Sequence, residues 1–149
     1  MMHTTIDADD LASRFTALTL RKEEWTHAAH LTVGAWHVDR YGAAEALTRL
    51  RTGIRRLNES HGNANTDSAG YHETITAAYV TLLSVFLETC PPGLGLDDRV
   101  ARLLASPLAE REILFKAYSR DRLLSTAARL AWVEPDLAPL DVDFLRTLA

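Results

Sequence analysis

The chain has 149 residues, 47% hydrophobic and 24% charged, a balance that fits one soluble globular domain spanning residues 1–149. Its net charge of −4 provides no field to recruit nucleic acid or an anionic membrane surface. The single cysteine, Cys90, excludes an internal disulfide, and residues 1–7 lack the basic and apolar regions of a signal peptide, so a cytoplasmic location is expected.

Helical spacing dominates the pattern, and strictly alternating β-branched runs are absent. Asp9 to Leu18 predicts a first helix with Leu11, Phe15 and Leu18 on one face, preceded by acids that favour a helix start. A second helix starts at Thr26, an N-cap residue type, with Trp25 placed to pack on the first turn, and it stops at Gly42. The third, about Ala43 to Glu59, turns Ala46, Leu47, Leu50, Ile54 and Leu57 inward and Arg49, Arg55 and Arg56 outward. A polar loop from His61 to Gly70 follows, rich in glycine, asparagine and aspartate.

Tyr71 to Thr89 is apolar nearly all round, the signature of the buried centre of a bundle. Its longest apolar run, Ile75 to Leu87, contains Thr81 and Ser84 and is too short to cross a bilayer. Pro91-Pro92-Gly93 ends it. Asp97 to Ala105, Leu108 to Tyr118, Thr126 to Trp132 and Val142 to Leu148 read as shorter helices, with an extended segment around Pro135 and Pro139. The expected fold is all-α: a single-domain bundle of five to seven helices with a buried central helix at about 71–89.

Two histidine windows carry the chemistry: Trp25-Thr26-His27-Ala28-Ala29-His30 and Gly70-Tyr71-His72-Glu73-Thr74. Short connections make successive helices antiparallel, which brings both windows to one end of the bundle with Asn58, His61 and the asparagine-rich loop. His27 and His30 are spaced i,i+3 and project from one helix face, whereas His37 lies two turns further on and reads as packing. Helix N-termini disfavour imidazolium, so first-turn histidines stay neutral, as a metal ligand or a general base requires.

His27, His30 and His72 are therefore the expected ligands of a divalent transition metal, zinc, iron, nickel or manganese, with Glu73 as fourth ligand or catalytic base. Tyr71, Asn65 and Arg120 are the expected substrate contacts, Arg120 as a clamp for a small anion. The opposing reading is a non-enzymatic small-ligand or interaction domain with a metal-free histidine pocket, in which Trp25 and His30 form a hydrophobic staple. Thr76 stands where a zincin protease needs its second histidine, which removes that class. The expected partner is a small molecule, with no nucleic acid and no membrane; self-association is compatible with the sequence.

The blocks Trp25-Thr26-His27-x-x-His30-Leu31, Asn65-Thr66-Asp67-x-x-Gly70-Tyr71-His72-Glu73-Thr74, Tyr118-Ser119-Arg120-Asp121-Arg122-Leu123 and Trp132-Val133-Glu134-Pro135-Asp136-Leu137 resemble a family of small uncharacterised bacterial helical proteins. The resemblance runs from about residue 20 to 140. It brings no activity, cofactor or catalytic residue with it, and implies only that these polar blocks form one recurring pattern.

Overall fold

A computed structural model describes residues 7–148. Residues 1–6, which carry most of the signal-peptide expectation, lie outside that range. Among the described residues the chain is helical without strands: α1 (Ala8–Thr16), α2 (His27–Ser60), α3 (Glu73–Thr89), α4 (Leu96–Leu104), α5 (Arg120–Leu123), α6 (Thr126–Leu130) and α7 (Val142–Leu148). None of these helices is long and apolar enough to cross a membrane.

Gly42 breaks α2 into two arms. Its φ of 79° and ψ of 165° lie where L side chains are strained, so the expected stop at this glycine is realised as a sharp reversal. The arms pack side by side. Gly34 on the first and Leu50 and Ile54 on the second line one cavity, while Phe15 of α1 meets both the His37 ring, 5.6 Å between centroids, and the bare backbone of Gly53. A Cβ on Gly53 would sit 2.4 Å from two Phe15 ring carbons, so glycine there admits the aromatic ring.

α3 is the buried helix the apolar pattern predicts. No residue from Glu73 to Leu87 is exposed, and α2, α6 and α7 cover it. α1 lies across α2 and is fixed to its neighbours by polar contacts. Trp36 donates to Asp9 at 2.6 Å, and the Ala8 N–H donates to Asp97 of α4 at 3.2 Å.

The boundaries differ in two places. α1 ends at Thr16, and Leu18 takes a positive φ of 61° and stays 38% exposed, so the apolar stripe is Ala8, Ala12 and Phe15 with Leu11 half-buried. Leu108 to Tyr118 is not one α-helix but two short 3₁₀ turns, Pro107–Ala109 and Ile113–Lys116. A helix buried through Leu108 must also bury positions 111 or 112, and these are Arg111 and Glu112. Two tight turns bury Leu108, Ile113, Leu114, Ala117 and Tyr118 and leave the charged residues between them at the surface.

The C-terminal third folds back onto the bundle through specific polar contacts. Ser119 and Ser125 cap α5 and α6. Tyr118 Oη donates to the Val133 carbonyl at 2.8 Å, and the Ser119 N–H to Asp136 at 2.8 Å. From inside α3, the Thr74 hydroxyl donates to the Ala131 carbonyl at 2.9 Å and accepts the Val133 N–H at 3.1 Å. Residues 118–137 thus form a clasp over the start of α3, through Leu123, Ala131 and Val133.

Candidate functional site

The two histidine windows meet. A groove lined by Trp25, His30, Ile54 and Asn58 continues through Gly62, Asn63 and Ala64 to Tyr71, His72 and Ile75. It shares Trp25, His30, Ile54, Ile75 and Thr76 with a second cavity of about 310 Å³ that runs deeper between the arms of α2 and α3. The deeper cavity has an apolar wall of Leu31, Gly34, Leu50, Val80 and Leu83, and its polar residues are His27, His30, Thr76, Tyr79 and Arg111.

Each histidine has a local reason for its position. Thr26 caps α2 by accepting the Ala29 N–H, which makes His27 the first helical residue. Trp25, one residue before the cap, stacks on His30 in the fourth position with centroids 3.8 Å apart, the geometry of a hydrophobic staple. The His30 Nδ1 lies 2.7 Å from the Thr26 carbonyl. His72 is itself the N-cap of α3: its Nδ1 accepts the Ile75 N–H at 3.1 Å. That leaves Nε2 as the protonated nitrogen, which donates to the Leu123 carbonyl at 2.9 Å.

His27 is different. Its Nε2 is buried without a hydrogen-bond partner, as is the Tyr79 hydroxyl, and the two rings meet edge to face at 5.9 Å. Both line the deeper cavity. Loss of surrounding water pulls the His27, His30 and His72 imidazoles below their usual range, and the Arg111 charge adds to the effect at His27 and His30. The shift is in the direction of the neutral imidazole expected at helix N-termini, with loss of water as its main cause. Burial pushes the Tyr79 phenol up to about 12, so it remains a hydrogen-bond donor at neutral pH.

The other expected site residues face elsewhere or are engaged. Glu73 accepts both arms of the Arg51 guanidinium, at 2.8 and 2.7 Å, and the Tyr71 hydroxyl at 2.8 Å. The Arg51 hydrogen bonds hold its carboxyl below the usual carboxylate range. Glu73 lines a separate polar cavity with Arg51, Arg55 and Arg129. Asn65 closes the loop: its side-chain oxygen accepts the Tyr71 N–H and the Asn58 amide, and its own amide donates to the Arg55 carbonyl. Arg120 lies over the Phe115 ring at 4.4 Å and lines neither histidine groove.

Among the described residues no group of three or more histidine, cysteine, aspartate or glutamate side chains stands placed to hold a metal. His27 and His30 share the deeper cavity, while both His72 ring nitrogens bond to backbone.

Two residues of the deeper cavity escape a reading of the sequence. Tyr79 is hidden in the apolar run of α3, although it is the one residue between Ala77 and Leu83 with a phenol to satisfy. Arg111 reaches the cavity only because residues 107–116 fold as tight turns instead of a helix. Compared with known proteins, the chain matches no family model, no curated protein and no solved structure.

Proposed function

We propose that this protein binds a small molecule without a metal, holding an apolar body in the cavity between α2 and α3 and a polar group at His27 and Tyr79. One observation carries the reading: the His27 Nε2 and the Tyr79 hydroxyl, both buried and unpartnered, line the same largely apolar cavity of about 310 Å³. An unsatisfied buried polar group costs about 1–3 kcal/mol, and a ligand that pairs with it recovers that cost. The volume falls at the lower end of small-ligand sites, and an apolar lining with few convergent polar groups is their usual make-up.

A metal-dependent enzyme built on His27, His30, His72 and Glu73 would require His72 to give up its cap or its bond to Leu123, and Glu73 to leave Arg51. The pocket reading requires neither change.

The neutral dye N-phenyl-1-naphthylamine, which brightens in apolar surroundings, tests the reading directly. Chelator-treated protein is expected to bind it saturably. Ile54→Trp, which fills the junction of the two grooves, is expected to remove binding while leaving the helical circular dichroism unchanged. Binding that appears only after metal is restored would reject the pocket reading in favour of the metal-centred one. Dye binding that survives Ile54→Trp would place the site elsewhere.

A further inference from the structure

We infer that the ligand of this cavity is an amphipathic monoanion, a carboxylate with an aliphatic tail, whose head lies between Arg111, Tyr79 and His27. The inference rests on the pocket reading above and names its ligand class.

Charge carries the first part of the argument. The chain contains 20 aspartates and glutamates, yet none lines either the deeper cavity or the groove that continues from it. The formal charge at the cavity is the guanidinium of Arg111, which makes no ion pair with any described residue. By contrast, Arg14, Arg51 and Arg99 each hold a carboxylate within 2.7 Å. An unpaired arginine beside an apolar cavity, with no acid opposite, attracts an anion and repels a cation.

Hydrogen bonding carries the second part. The Tyr79 hydroxyl is a buried donor without an acceptor, and a carboxylate oxygen is the strongest acceptor a small ligand brings. His27 stands at the same place with Nε2 unfilled, ready to donate once it takes up a proton. One guanidinium, one phenol and one imidazole match the single charge and two oxygens of a carboxylate. The remaining wall is mostly apolar, through Leu31, Gly34, Ile54, Val80 and Leu83, and suits a hydrocarbon tail.

The experiment compares octanoate with 1-octanol, equal in chain length and different in charge, as competitors for the neutral dye on the full chain. Octanoate is expected to bind about tenfold more tightly than octanol. Arg111→Met keeps an apolar stem at a surface position and is expected to bring octanoate down to the affinity of octanol. Tyr79→Phe is expected to weaken octanoate severalfold and octanol less, because a hydroxyl is a weaker acceptor than a carboxylate oxygen. Equal affinity of the two competitors in the parent protein, or a preference that survives Arg111→Met, overturns the carboxylate while dye binding keeps the pocket itself standing. If neither competitor nor the dye binds, the pocket reading fails and this inference fails with it.

Discussion

His72 and His27 are first-turn neighbours in the sequence pattern but have opposite chemistry. His72 is 8% exposed and uses both ring nitrogens on backbone, accepting from Ile75 and donating to Leu123. Only the neutral imidazole with its proton on Nε2 does both. Asparagine can reproduce the cap but not the reach to Leu123. His72→Asn is therefore expected to be less stable than the parent in urea unfolding, and His72→Ala to lose about 1 kcal/mol more with the cap. Equal stability of the two variants would show that the cap contributes nothing. His27 instead has its Nε2 buried without a hydrogen-bond partner beside the cavity, its ring edge to face with Tyr79, with Arg111 and His30 as charged or titratable neighbours and the Ala109 carbonyl favouring its protonated form. A carboxylate beside that nitrogen favours imidazolium, so its binding takes up a proton. Octanoate affinity is accordingly expected to rise as the pH falls through the histidine range, and His27→Gln should flatten that slope in isothermal titration.

At the scale of elements, two of the three glycines of α2, Gly42 and Gly53, shape the helix in different ways. Gly42 has nothing within 4 Å of a built Cβ, so its requirement for glycine is conformational, a φ of 79° at the reversal between the arms. Gly53 has helical neighbours and a crowded side, where Phe15 occupies the space of a Cβ. Gly42→Ala is expected to cost about 1–3 kcal/mol through backbone strain alone. Gly53→Ala should instead be rescued in part by Phe15→Leu, which gives back the space, whereas Gly42→Ala should not. Chemical unfolding of the double variants separates the two cases. Gly42 was readable in the sequence because a glycine after an apolar-periodic stretch marks a helix end, and α3 because its apolar pattern leaves no polar face. The joining of the two windows followed from counting antiparallel helices. Arg111 was not readable, since no local pattern announces that residues 107–116 will turn twice. Nor was the division among the first-turn histidines, because the side of the first turn on which each imidazole finds a carbonyl, a ring or an empty cavity is set by tertiary packing. Arg120 shows the same limit in reverse: the Tyr118–Leu123 block is ordered by backbone contacts to residues 133–137, and its arginine rests on Phe115 outside the histidine groove.

For the molecule as a whole, three buried or half-buried imidazoles are held below their usual range chiefly by loss of water: His27 and His72 at the grooves, and His37 packed among Phe15, Trp36 and Tyr41. In the unfolded chain each takes up a proton near its ordinary pKa of about 6.5, while the folded form resists until lower pH. Over that interval the unfolded state binds more protons, so stability falls as the pH falls. A second loss comes at lower pH. Glu24 is held at about 2 by hydrogen bonds from Arg14 and the Arg21 backbone, and Arg51 and Tyr71 hold Glu73 below its usual range. Stability from these carboxylates is present above their unfolded pKa and disappears only as they are protonated. The melting temperature is therefore expected to be level above neutrality, to fall first through the histidine range, and to fall again in the carboxylate range. Replacing His37 by phenylalanine removes one buried titrating ring without touching the cavity, and should shrink the first step and leave the second intact. Octanoate should shrink the same first step by a different route, because the carboxylate beside His27 makes imidazolium acceptable in the folded state. The two effects are additive if His37 and the cavity are independent. A single acid transition confined to the carboxylate range would show instead that the buried imidazoles accept protons without cost to the fold.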